Sequence, residues 1–312
     1  MNNMPEVSVI IPTYNRAHLV GRAIKSVLNQ TYQDFELIVV DDSSTDNTEE
    51  VVKSFNDKRI RYIKHNENRG GSAVRNTGIK ASKGIYIAFL DDDDELLPQK
   101  LECQLNKFQK VSDKVGAIYS GYCVIFEKNG RIVSEREVVP TLNGYIHNDF
   151  LKGCITPSHT LLIKKICFQE AGLFDETLPG HQDWDMWIRI SKYYEFDFVP
   201  DILCKYYLHG NQLVSDLKAR ITAKKKMIRK HFIEFSNQPS IFSFHLSRLG
   251  VLYWLAGNLR RGRKCFLSSI WQKPLQKTSY IYLLLSLLVP RFFTKKLREY
   301  SAKNVEGITL YF

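Results

Sequence analysis

The chain has 312 residues, 44 Lys/Arg against 33 Asp/Glu and 44% apolar residues, enough to bury a core in one large or two moderate domains and too apolar to be disordered throughout. Charge is unevenly placed: residues 218–312 hold 19 Lys/Arg and 3 Asp/Glu, a balance of +16, whereas residues 1–217 hold 25 against 30, a balance of −5. An acidic region therefore precedes a basic one, which suits either nucleic acid or an anionic membrane surface. Six cysteines show neither close metal-binding pairs nor a compact disulfide framework, so reduced thiols in the cytoplasm are expected. The N-terminus enters a strand-like run at once, which leaves no room for a signal peptide, and no apolar stretch reaches the ~18 residues of a spanning helix.

In chain order, Val7 to Ile11 is an apolar, β-branched run closed by Pro12, the pattern of a buried strand. The polar loop Thr13-Tyr14-Asn15-Arg16 follows. Val20, Ala23, Ile24, Val27 and Leu28 then recur at helical spacing and predict a helix with one face on a sheet. The unit repeats: Phe35 to Val40 is a second strand and Asp41 to Thr45 its loop, after which Asp46 and Glu49 predict a capping-box-like helix start. Ile60 to Ile63 is a third strand, with the loop Asn66 to Ser72 and a helix to about Ala81. Ile85 to Leu90 is a fourth, ending in Asp91-Asp92-Asp93-Asp94.

Strands alternating with short helices predict an α/β fold with a doubly wound, mostly parallel sheet that binds ligands at the carboxyl ends of its strands. All four polar loops fall on that edge. The sequence has no GxGxxG and no GxxxxGK[ST], which weighs against nicotinamide dehydrogenases and P-loop enzymes. On an extended segment side chains alternate, so Asp91 and Asp93 are expected to face one way and Asp92 and Asp94 the other. Four adjacent carboxylates repel unless positive charge is supplied. A divalent cation shared with substrate phosphates supplies it. The alternative is a solvated acidic turn capping the helix that Pro98 opens.

That helix is predicted to run to about Val111, followed by a strand over Ala117 to Phe126 and a hairpin turn at Asn129-Gly130. Ile155 to Ile163 reads as another strand, with Pro157 setting it at an edge or bulge. In PGHQDWDMWIRI, Pro179 to Ile190, Asp183 stands near a helix start, as a cap or as a functional acid, while Met186, Trp187 and Ile190 point to the core. Trp184 reads as packing or as a platform for a sugar. After about Leu213 the pattern turns helical. Leu217, Ile221, Ile228, Phe232 and Phe235 make one apolar stripe, and a helical hairpin spans Ile241 to Ala256 and Arg260 to Trp271 about Gly257-Asn258. Tyr280 to Val289, flanked by Lys273, Lys277, Arg291, Lys295 and Lys296, is either a surface-lying membrane anchor or a core helix with a basic rim. Nucleic acid is not expected, because no binding motif accompanies the charge.

VSVIIPTYNR, VVDDSSTDNT, NRGGSAVRNTGI, IAFLDDDDELLPQKL and QDWDMWIR, in that order over about residues 5 to 210, resemble a family 2 glycosyltransferase of the A-type fold. The resemblance implies an inverting transferase that takes a sugar from a nucleotide diphosphate sugar with Mn²⁺ or Mg²⁺. By it Asp42 contacts the base, with Thr13, Tyr14 and Arg16 nearby. Asp91 and Asp93 form the aspartate-x-aspartate pair, Asp93 the more direct metal ligand, and Asp183 is the catalytic base. Asp92 occupies a position usually small in the family, which leaves open which of the four carboxylates touch the metal; with Asp91 it is also a nucleotide-side candidate. His181-Gln182 stand where Glu is common, which makes His181, with Trp184, a candidate on the acceptor side.

The chemistry agrees. Cleaving a sugar-phosphate bond leaves negative charge that a cation stabilises, while an ionised Asp takes the proton of the attacking hydroxyl. Arg69 and Arg75, on the third loop and its helix, are candidates to meet phosphate, with surface solvation the alternative for each and the favoured one for Arg69. The expected layout is donor and metal binding over about 1–100, acceptor side and base over about 101–217, and a basic helical region, 218–312, that meets an anionic membrane surface. The expected role is transfer to a saccharide or lipid-linked acceptor in cell-surface polysaccharide synthesis, at the inner face of the membrane. The rivals are a sugar nucleotidyltransferase, whose Gly-rich triphosphate loop is absent from PTYNR, and an inactive sugar-nucleotide binding module, against which Asp93 and Asp183 both argue.

Overall fold

The computed structural model describes residues 4–128, 131–209 and 217–288. The chain divides into two compact units. The first comprises Met1–Phe150, Ile155–Glu176 and Gln182–Leu208, the second Leu151–Cys154, Thr177–His181 and His209–Phe312.

The first unit opens with β1 (Val7–Thr13), α1 (Ala17–Leu28), β2 (Phe35–Asp41), α2 (Thr48–Ser54), β3 (Ile60–Lys64), α3 (Gly71–Ala81) and β4 (Tyr86–Phe89). Each strand is the apolar run that the sequence marks. β1 and β2 are buried almost throughout, as a strand covered on both faces must be. β5 (Glu95–Leu96), α4 (Lys100–Phe108), β6 (Val115–Lys128), β7 (Arg131–Val138), α5 (His147–Lys152), β8 (Leu161–Lys164), α6 (Ile166–Glu170), α7 (Gln182–Ile190) and β9 (Glu195–His209) follow. Among the described residues the strands form one sheet in the order β3-β2-β1-β4-β8-β6-β9-β5, with β7 on β6.

The α/β expectation holds, and the sheet is mixed. β3, β2, β1 and β4 are parallel, whereas β8 runs antiparallel to β4 and β6, β7 to β6, and β5 to β9. Strand order grows one way from β1 to β3 and then jumps back to β4. With right-handed crossovers this sets α3 on the face opposite α1 and α2, and the ligand crevice opens where the order reverses, at the ends of β1 and β4.

α3 lies close on β1 because Gly78 has no side chain. A Cβ there would come within 2.4 Å of Ile10 Cγ2, and Ile10 is fully buried. Gly78→Ala is expected to destabilise the protein by about 1–3 kcal/mol, the usual cost of overpacking, read as a lower urea midpoint. An unchanged midpoint would show that this contact yields freely.

Three local expectations are corrected. Asp46 starts α2 by accepting from the Thr48 N–H at 3.1 Å, whereas Glu49 pairs with Lys53 at 2.6 Å and Lys64 at 3.2 Å, so the reciprocal box does not form. β8 begins only at Leu161 and lies inside the sheet. Pro157, at φ −74°, leads a short 3-10 turn over Ser158–Thr160 and so never has to donate to the ladder. α4 starts after Gln99 and ends at Phe108, leaving Pro98 in the preceding turn. The β6–β7 hairpin is present, while its turn residues Asn129 and Gly130 lie outside the described residues.

The second unit carries α8 (Leu217–Lys230), α9 (Phe232–Ser236), α10 (Pro239–Leu255), α11 (Leu259–Gln272) and α12 (Lys277–Leu288). The helix break at His231 splits the expected apolar stripe: Phe235 is buried and Phe232 exposed. The α10–α11 hairpin turns at Gly257, whose φ of +82° suits glycine, and the Asn258 side chain caps α11 by accepting from the Arg261 N–H at 3.1 Å. Inside this unit Lys224 Nζ lies 2.9 Å from His245 Nδ1, and His245 Nε2 donates to the Leu151 carbonyl at 2.7 Å. Leu213, Val289, Arg291, Lys295 and Lys296 lie outside the described residues. No helix among the described residues is long and apolar enough to cross a membrane.

Candidate active site

The loops after the four parallel strands interlock. The Asp42 N–H donates to the Thr13 carbonyl at 2.9 Å, the His65 N–H to Asp41 at 2.8 Å, and the Leu90 N–H to Ile10 at 3.0 Å. Asn15 and Ser43 hold positive φ, 51° and 70°, a conformation costly for non-glycine residues that persists only where the surroundings fix it. Here the Asn15 N–H donates to Ser44 Oγ at 2.8 Å and the Thr45 N–H to Asn15 Oδ1 at 2.8 Å, which ties the first loop to the second. Tyr14 is exposed beside them.

Asp42 ties the second loop to the third. Its buried carboxylate accepts from the backbone N–H groups of Arg69, at 3.0 and 3.1 Å, and Gly70, at 2.7 Å, and lies 2.8 Å from His65 Nδ1.

The four aspartates do not alternate as on an extended strand. β4 ends at Phe89, and the Asp94 N–H donates back to the Asp91 carbonyl at 3.1 Å, closing a turn. The turn sends Asp92 and Asp93 together to Arg16, whose Nη1 donates to Asp92 Oδ1 at 2.9 Å and Asp93 Oδ2 at 2.7 Å. Thr13 Oγ1 donates to Asp92 Oδ2 at 2.8 Å. Burial pushes the Asp92 carboxyl up to about 6, against the pull of Arg16. Thr13, Arg16, Asp92 and Asp93 are thus brought together.

Asp91 and Asp94 meet elsewhere. Arg75 Nη2 donates to Asp91 Oδ1 at 2.7 Å, and the Tyr207 N–H donates to Asp94 Oδ1 at 2.9 Å. Asp94 Oδ2 faces His159 Nδ1 at 3.0 Å, and beyond that contact neither atom, nor His159 Nε2, has a hydrogen-bond partner although all three are fully buried. His159 is held by stacking on Tyr206, with ring centroids 5.2 Å apart. One donor atom each from Asp91, Asp94 and His159 lie within 4.8 Å of one another. Two carboxylate oxygens and an imidazole nitrogen, two of them otherwise orphaned, fit a divalent cation such as Mn²⁺. His159 has no local spacing cue, since its partner Asp94 lies far back in the sequence. The one signal is a polar break, Ser158-His159-Thr160, in an otherwise apolar stretch.

Asp183 enters in the first turn of α7, half-buried. α7 is fixed by Asp185, buried and paired with Arg189 at 3.0 Å, which in turn donates to the Leu173 carbonyl at 2.9 Å. Burial raises the Asp183 carboxyl above the ordinary range, with Arg75 opposing the rise. Burial also works against the Arg75 charge, and Asp91 and Asp183 more than offset it. The Arg75 charge therefore acts on both carboxylates, and its hydrogen bond goes to Asp91.

Trp184 does not offer a face to a sugar, as one reading of the sequence had it. Its ring is 3% exposed, and its indole N–H donates to the Phe150 carbonyl, because helical spacing turns it to the core with Trp187. His181 belongs to the second unit, at φ 60°. There burial, with Lys224 and Arg220, pushes its imidazole down to about 3, so the ring is neutral.

The family described as glycosyl transferase family 2 matches residues 8–168. An uncharacterized glycosyltransferase of Rickettsia felis is 40% identical over 222 residues, which is 67% of this chain and 35% of that protein. The chain thus spans about a third of that relative's length. The Escherichia coli UDP-Glc:alpha-D-GlcNAc-diphosphoundecaprenol beta-1,3-glucosyltransferase WfgD is 29% identical over 231 residues, 73% of this chain and 87% of WfgD. S. aureus TarS 1-349 in complex with UDP-GlcNAc superposes with a TM-score of 0.61 at 18% identity, covering 96% of this chain and 89% of that TarS fragment, and shows the shared A-type glycosyltransferase fold. The match that runs from β1 into α6 covers the loops that gather Asp42, Arg75 and the four aspartates, and with it this chain belongs to glycosyl transferase family 2.

Proposed function

We propose that the protein is an inverting, metal-dependent glycosyltransferase that moves a sugar from a nucleotide diphosphate sugar to a hydroxyl of a saccharide or lipid-linked saccharide. The carrying observation is Arg75, a buried guanidinium paired at 2.7 Å with Asp91 just past β4, whose charge also acts on Asp183 in the first turn of α7. It joins the diphosphate side to the base side of one crevice. The Thr13–Arg16 and Asp42 loops receive the nucleotide. Arg16 and Arg75 supply positive charge to the diphosphate, and Asp183, as carboxylate, accepts the proton of the attacking hydroxyl. A divalent cation, when bound by Asp91 with Asp94 and His159 or with Asp93, neutralises the charge that develops on the departing diphosphate. WfgD, by its name, uses UDP-Glc and a lipid-diphosphate acceptor, and TarS binds UDP-GlcNAc. The WfgD likeness supports a uridine donor and a lipid-linked saccharide acceptor.

A thermal-shift panel of UDP, GDP, CDP and dTDP with and without Mn²⁺ tests the donor half. One nucleotide at about a hundred times its Kd should stabilise the fold by about 2.7 kcal/mol, and only with the cation. A panel without any cation-dependent shift would overturn the reading.

A further inference from the structure

The second unit has a helix turned inside out. α12 buries Ser279 and Ser286 and exposes Tyr280, Ile281, Leu284, Leu287 and Leu288. At 100° per residue the exposed five fall within an arc of about 120°, so they form one face. The buried serines are satisfied: Ser269 Oγ lies 2.7 Å from Ser279 Oγ and 2.8 Å from Ser243 Oγ, and Arg263 Nε donates to Ser286 Oγ at 3.2 Å. The helix is thus fixed in this rotation by hydrogen bonds as well as packing. A soluble helix puts its serines out and its leucines in.

α11 continues the pattern. Arg260, Lys264, Leu267 and Trp271, all exposed, recur at i, i+4, i+7 and i+11, a single stripe that passes from cations to apolar groups toward the α11–α12 connection. Leu275 in that connection is 85% exposed and Trp271 84%. From α8 to α12 the unit holds 14 Lys/Arg and one acid, Glu234.

We propose that the α11–α12 hairpin inserts shallowly into the interface of an anionic bilayer, with its leucines and Trp271 among the acyl chains and Arg260, Lys264 and Lys277 at the headgroups. Exposed apolar groups bordered by cations, on a helix too short to span, are the physical requirements of such an anchor. Charge decides between occupants: a second copy of this unit would bring a like-charged partner, which repels, whereas an anionic surface attracts. The inference does not rest on the transferase reading, and its test needs neither donor nor acceptor.

The other three tryptophans, Trp184, Trp187 and Trp254, are buried, so contact quenching by lipid reports Trp271. Full-length protein is mixed with vesicles of brominated phosphatidylcholine, with and without phosphatidylglycerol, and binding is read in parallel by co-sedimentation. Quenching and co-sedimentation should require the anionic lipid. Trp271→Phe should abolish the quench while sedimentation persists. Leu284→Ser with Leu288→Ser should weaken partitioning about tenfold or more without lowering Tm, since both side chains are already exposed. High salt should weaken binding without abolishing it, because screening leaves the apolar term intact. Absence of quench on anionic vesicles, equal binding to neutral ones, or a vesicle-free dimer that shields Trp271 would each overturn the proposal.

Discussion

Asp183→Asn is expected to slow sugar transfer by about two orders of magnitude or more while leaving donor affinity nearly unchanged, the usual scale for a lost general base. The amide keeps the size of the side chain and its place in the first turn of α7, so neither the helix start nor the Asp185–Arg189 pair is disturbed. It loses only the ability to take a proton. The pH profile separates this role from a structural one. Burial raises the Asp183 carboxyl, and a base works only when ionised, so wild-type transfer should fall as pH drops through a value above the ordinary carboxylate range. That acid limb should vanish from the residual rate of the variant. Parallel losses in donor binding and turnover would mark Asp183 as a cap.

The second large effect belongs to Asp91. Asp91→Asn retains an oxygen for the Arg75 hydrogen bond, which avoids stranding a buried guanidinium, and removes the charge a cation needs. Mn²⁺-dependent affinity for the nucleoside diphosphate, read by titration calorimetry, should fall at least about tenfold, with cation-independent affinity little changed. Asp93→Asn and His159→Gln in the same titration distinguish the two donor sets. A loss with Asp93 assigns the cation to the aspartate-x-aspartate pair, and a loss with His159 assigns it to the convergent triad. Undiminished metal dependence in Asp91→Asn would place the cation away from both.

Where local pattern determines structure, the sequence was legible. The runs of β1, β2 and β4 and the repeating strand, loop and helix units announced the parallel half of the sheet, and QDWD announced α7. The four aspartates misled because alternation assumes an extended chain, whereas the chain turns at Asp91, and a turn brings residues three apart to one side. His159 was illegible for another reason. Its meaning comes from Asp94, which only the antiparallel placement of β8 beside β4 brings near. Trp184 shows the converse: helical spacing already allied it with Trp187, and that signal carried more weight than the affinity of indoles for sugars. The sugar nucleotidyltransferase alternative is set aside by membership of glycosyl transferase family 2.

The carboxylate of Asp42 holds the backbone of Arg69 and Gly70. On the donor-binding reading proposed above, much of the entropy that a nucleotide would otherwise have to remove from the third loop is already spent in folding, and an incoming base would meet a cradle set in advance. Side chains at its rim can change to suit another base or sugar, but its main chain stays bound to a residue at the end of the neighbouring strand β2, so on that reading new donor preferences would arise on an inherited backbone.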